Sequence, residues 1–163
     1  SFLSAVGKEG EYKVPSGRQV RRWGVLPKDS RTSGLIKTKG IQFTLNGKNN
    51  LPWKPAYSYV DGGLPLAEMG INNGFNNRLS IAKFEIEVSV AGKIGIRLKN
   101  PKGLQLLTGG EMIEAKKNSS FTFSQGRQEI YVIADTDVRG SNLFIEIVDV
   151  DGSPGAAALV TGF

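Results

Sequence analysis

The chain contains no cysteine and no histidine. Without cysteine there is no disulfide and no thiolate metal site, and cysteine usage says nothing about compartment. Without histidine the commonest general base and the commonest zinc ligand are both missing. A Ser or Thr nucleophile therefore has no imidazole beside it. Paired carboxylates remain, so glycosidase-type chemistry survives this filter. Long apolar runs are also missing. Nothing approaches the ~18 uninterrupted apolar residues of a membrane-spanning helix. Ser1-Phe2-Leu3-Ser4-Ala5-Val6 has no charged lead and too short an apolar run for a signal peptide.

What is present is enough for a folded domain. Apolar residues make up 39% of 163 positions, so a core forms without covalent staples. There are 21 Gly and 7 Pro punctuating short apolar runs, which points to many turns and many strands. Phe84, Ile86, Val88 and Val90 alternate with Lys83, Glu85, Glu87 and Ser89. After Ala91-Gly92 the alternation resumes with Ile94, Ile96 and Leu98. This predicts two antiparallel strands joined by a tight turn, each with one buried face. Phe121 and Phe123, Ile130 and Val132, and Leu143, Ile145 and Ile147 repeat the pattern. In the first half, residues 20–25 and 57–60 read as strands. Residues 40–45 alternate into Asn46-Gly47, a strong hairpin signal. No helical stripe stands out beyond one turn at residues 64–69, and residues 70–78, rich in Asn and Gly, read as a surface loop.

The expected fold is all-β: an antiparallel β-sandwich of jelly-roll type with about eight to ten strands. Alternation alone does not separate a jelly roll from another Greek-key sandwich. Residues 1–163 read as a single domain, with an N-terminal arm (1–10) and a C-terminal tail (152–163). That tail, around Ala156-Ala157-Ala158-Leu159-Val160, either docks as an edge strand or meets a neighbouring chain.

Charge is divided unevenly. Residues 1–60 hold 11 Lys/Arg against 3 Asp/Glu, and residues 61–163 hold 10 against 12, for a net +6 overall. A basic front suggests a face that meets something anionic. Arg18, Arg21, Arg22, Lys37 and Lys39 are the candidate contacts. Phosphate of a lipid head group or a nucleic acid would suit them, and so would inter-subunit salt bridges. Arg21 and Arg22 point to opposite faces of a regular strand.

Three further constellations bear on chemistry. Glu85 and Glu87 lie on the outer face of a strand, where solvated charge is the default, and Glu111 and Glu114 flank a short strand. Neither pair shows the setting of a catalytic dyad, so the chain reads as a non-enzyme with no cofactor. Asp135, Asp137, Asp149 and Asp151 sit at predicted strand ends. They offer oxygen ligands of the kind calcium prefers, although Asp and Gly also populate plain turns. Trp53, Tyr57 and Tyr59 would be the stacking platforms of a carbohydrate-binding β-sandwich. Trp53 is expected to be exposed, because Pro52 and Pro55 flank it.

Residues 19–26 form a basic strand, followed by a polar loop and then Leu35-Ile36-Lys37-Thr38-Lys39-Gly40-Ile41-Gln42-Phe43-Thr44-Leu45-Asn46-Gly47. This run is similar to the opening strands of small single jelly-roll capsid proteins of icosahedral, membrane-containing bacteriophages. In that family an early strand ends in a Leu-Asn-Gly-like turn. The resemblance implies a viral structural protein located in the virion. Such a subunit self-assembles with its own copies and other capsid subunits into an icosahedral shell. It implies no catalytic residues. The chain departs from the family in lacking a long polybasic arm, which argues against direct genome packaging. The alternative is a carbohydrate-binding module, secreted or on a cell surface.

Overall fold

The computed structural model describes residues 18–27, 29–46, 49–59, 63–65, 79–135, 138–139 and 142–160. The expected arm at residues 1–10 and the loop at residues 70–78 lie outside them. In chain order the elements are β1 (Arg18–Gln19), β2 (Arg22–Val25), α1 (Ser30–Lys39), α2 (Ile41–Asn46), β3 (Lys54–Tyr57) and β4 (Leu79–Val90). There follow β5 (Gly92–Leu98), β6 (Leu104–Thr108), β7 (Glu111–Glu114), β8 (Asn118–Phe123), β9 (Gly126–Asp135), β10 (Ile145–Asp149) and β11 (Ala156–Leu159).

These strands form two antiparallel sheets. Sheet A has the order β1-β10-β5-β8, and sheet B the order β3-β2-β4-β9-β6-β7, with β11 also on β4. The pairing is nested: β1 with β10, β4 with β9, β5 with β8 and β6 with β7. A long hairpin rolled so that its nested pairs fall alternately into two sheets is a jelly roll, and the expected sandwich is observed. The segment between β1 and β4 is an insertion that supplies β2, β3 and both helices.

The inward positions of both sheets fill one core. Trp23, Phe84, Ile86, Ile96, Leu106, Val132 and Ile147 are all essentially inaccessible to solvent within it. Trp23 meets Phe84 edge-on at 5.5 Å, and its indole N–H donates to Ser58 Oγ at 2.9 Å. A second apolar cluster lies on the opposite side of sheet B. There Ile81, Leu107, Tyr131 and Ile133 are covered by Leu26, Leu45, Ile36, Ile41 and Trp53. Sheet B is therefore buried on both faces where Ile81, Leu107, Tyr131 and Ile133 lie. No helix among the described residues is long and apolar enough to cross a membrane.

Three sequence expectations are corrected. The strand expected at residues 40–45 is instead α2, preceded by α1, so Asn46 ends a helix instead of opening a hairpin. Gly47 lies outside the described residues. The Asp29 side chain caps α1 by accepting from Thr32 N (2.8 Å) and Thr32 Oγ1 (2.7 Å), and Gly40, at φ 89°, closes it. Secondly, the strands at residues 83–90 and 93–98 exist but do not pair with each other. The chain crosses from sheet B to sheet A at Gly92, where φ is 147°. A Cβ there would come within 2.7 Å of Gly155 N, so the corner needs glycine. Thirdly, the strand expected at residues 57–60 is displaced to β3. Pro55 is tolerated there because β3 is an edge. The C-terminal tail docks through β11 as an edge strand on β4.

Candidate functional site

The sandwich interior is filled by apolar side chains, so function must be sought on the surface. The five predicted basic contacts do not form a single patch. Arg18 lies in sheet A, 3.5 Å from Asp149. Lys37 and Lys39 ride on α1, with Lys39 Nζ 6.0 Å from the Phe43 ring centre. Arg21 and Arg22 both contact the chain at or just after β3, through different partners. Arg21 occupies the break between β1 and β2, so regular strand alternation does not apply to it. Its guanidinium donates to Gln19 Oε1 (2.9 Å) and Tyr59 O (3.3 Å). The Arg22 guanidinium lies 5.4 Å from the Tyr57 ring centre.

The aromatic trio divides in the same way. Tyr57 and Tyr59 are exposed, at 58% and 48%. Trp53 is not the exposed ring that its prolines suggested. It is half-buried, 5.8 Å from the Tyr131 ring, with Lys83 Nζ 4.7 Å away. Arg21, Arg22, Lys54, Tyr57 and Tyr59 together make the free edge of sheet B at β3 basic and aromatic. The opposite free edge is β7, which runs Glu111-Met112-Ile113-Glu114. Its two glutamates are exposed and its Met and Ile half-buried. One sheet thus ends in a basic edge and an acidic edge.

The four aspartates do not converge. Asp135 ends β9 at the pole where β4 begins, since it pairs with Leu79. Asp149 pairs with Ile94 near the start of β5, at the other pole, with Asp151 in the turn that follows. Asp137 lies outside the described residues. A single calcium ion held by both loops is ruled out by that separation. Among the described residues no group of three or more metal-ligating side chains forms.

Sequence reasoning missed a carboxylate pair. Glu85 faces Glu129 directly across the β4–β9 ladder. Glu85 is not the solvated side chain expected, since it is only 14% exposed, with Arg127 at 3.6 Å. Glu129 accepts from Lys83 Nζ (2.8 Å) and the Tyr131 hydroxyl (2.7 Å). Burial and the neighbouring Glu129 push the Glu85 carboxyl above its usual range. Burial also pushes Glu129 upward, but the bonds from Lys83 and Tyr131 outweigh it and hold that carboxyl below its usual range. Burial and Glu129 together raise the Tyr131 hydroxyl well above an ordinary phenol. The pair abuts a shallow depression bordered by Gly109, Gly110 and Arg127. Its members hold one another in place at the margin of the helical layer. The signal in sequence is weak: Glu85 and Glu129 become opposite only through β4–β9 register.

The chain matches no family model, no curated protein and no solved structure.

Proposed function

We propose that the chain is a self-assembling structural subunit, a capsid protein whose copies tile an icosahedral virion shell. The observation that carries this reading is the pair of opposed edges on sheet B. Arg22 and Lys54 mark one edge, and Glu111 and Glu114 the other. Two copies meeting edge to edge form a heterologous contact, which propagates into rings or lattices. Lys54 and Pro55 guard the β3 edge against strand addition, so the contact runs through side chains and not through ladder hydrogen bonds. The jelly-roll order supports the reading by analogy only, since capsid and lectin domains share it. The resemblance drawn from residues 35–47 no longer contributes, because the structure makes 35–46 helical.

Charge reversal tests this. Glu111→Lys with Glu114→Lys abolishes oligomers in sedimentation velocity. Adding Arg22→Glu and Lys54→Glu to the same chain restores them. A wild-type chain that stays monomeric at millimolar concentration, with no particles by electron microscopy, sinks the proposal.

A second reading, a carbohydrate-binding module, keeps one favourable observation: Tyr57 and Tyr59, two residues apart, are both exposed. Trp53 no longer supports it. A glycan panel that gives no signal ends that reading.

A further inference from the structure

Sheet A carries on its outer face a cleft of about 410 Å³, near the pole where β5 ends. A row of polar side chains crosses it, because Gln19, Glu146, Arg97 and Asn118 are direct partners across four strands. Arg97 Nε donates to Glu146 Oε1 at 3.0 Å, so the carboxylate lining the cleft is neutralised. Two lysines bracket the end of β5. Leu98 N donates to Lys117 O (2.8 Å), and Lys99 N lies 3.5 Å from Phe144 O. Lys99 Nζ stands 4.6 Å from the Phe144 ring centre. Among the described residues neither lysine has a carboxylate partner. The cleft therefore has a surplus of positive charge, amide donors from Gln19 and Asn118, and an apolar wall made by the half-buried Phe144 ring, since the Leu98 side chain faces the core.

We infer that this cleft binds a nucleoside phosphate, either a free nucleotide or one unit of a single-stranded nucleic acid. Its concavity and volume admit a phosphate with its sugar and ring. The two lysines match the anion, the amides offer hydrogen bonds, and the apolar wall receives the base. A flat lipid surface would meet a convex basic face better than a recess. The site is independent of the shell-building reading.

The test is fluorescence anisotropy with a labelled oligodeoxythymidine at low salt, alongside NMR titration with a nucleoside monophosphate. Lys99→Glu with Lys117→Glu is expected to weaken both ligands about tenfold or more. Lys37→Glu with Lys39→Glu on α1 makes the same change of net charge away from the cleft, and is expected to alter binding less than about twofold. Removing two phosphate contacts also lowers the slope of log K against log salt by about 1.4 for a single strand. Binding of the nucleotide without the oligonucleotide assigns the site to the free ligand, and binding of both assigns it to the strand unit as well. Equal weakening by the α1 pair, or no binding of either ligand by wild type, overturns the inference. So does lysine-dependent binding of phosphatidylglycerol vesicles alone.

Discussion

Sheet A and sheet B share one core but differ in what lies on their outer faces. Sheet A shows water a polar row and Thr122, and its strand β8 alternates cleanly between buried and exposed. Sheet B is covered over part of its outer face by α1, α2 and the segment around Trp53, and there its strands are apolar on both sides, whereas Lys83, Glu85 and Glu87 continue that face of β4 with charge. In β9, Ile130, Tyr131, Val132, Ile133 and Ala134 are all buried. A strand that is apolar on both faces must have a layer on each side. The insertion between β1 and β4 provides the second layer. The proposed contacts divide in the same way: the edges of sheet B for neighbouring copies, and the cleft on the outer face of sheet A for a ligand.

The largest expected effect tests whether the cover over sheet B is packed like a core. Leu107→Ala, under the helices, should cost about 2–4 kcal/mol, as in a true interior. Thr122→Ala, at an exposed position of sheet A, should stay within about 0.5 kcal/mol. Urea unfolding measures both, and equal small losses would show that the helical layer is loosely held. Next comes Glu129→Ala, which strands Lys83 and the Tyr131 hydroxyl at the margin of that layer. A loss of about 1–3 kcal/mol is expected, with Glu129→Gln losing less.

Asp29→Ala removes the cap of α1 and should lower the melting temperature by less. The Thr32 bonds hold the Asp29 carboxyl below its usual range. Its contribution is therefore present above the ordinary carboxylate range and lost as pH falls through its folded pKa. The gap between wild type and variant, followed by circular dichroism, should close in acid. A gap that persists in acid would place the cap's effect outside the charged form.

The smallest effect has the opposite sign. Glu85 binds its proton more readily folded than unfolded, so ionising it costs stability as pH rises through the ordinary glutamate range. Glu85→Gln should stabilise by about 0.5 kcal/mol near neutrality, because like charges directly opposite on a ladder repel. The gain should shrink toward acid pH. Calorimetry showing a loss at neutral pH would mean that the Arg127 contact matters more than the repulsion.

Much of the sandwich was legible in the sequence. The alternations at Phe84-Ile86-Val88, Ile94-Ile96-Leu98, Phe121-Phe123 and Ile145-Ile147 are the buried positions of β4, β5, β8 and β10. Residues 41–45 misled because Ile41, Phe43 and Leu45 also read with period two. In the helix, Ile41 and Leu45 are one turn apart and pack together on sheet B, while Phe43 is 52% exposed. Asp29 and Gly40 were readable as start and stop signals of a helix. The candidate surfaces were less legible. Arg97, Lys99 and Lys117 lie apart in the sequence, and only the β5–β8 pairing brings them around one recess.

The sequence by itself determined the strand content, the inward face of most strands and the absence of imidazole and thiol chemistry. Those properties depend on side-chain identity and on a local period of two. Only the tertiary structure decided the nested pairing, the turn of residues 30–46 into helices, and which charges became neighbours. A strand's period is fixed within a few residues, but its partner is fixed by which apolar faces the whole chain can bury together. Residues 41–45 had two local options, and burial of Ile41 and Leu45 against the apolar patch of sheet B favours the helical one.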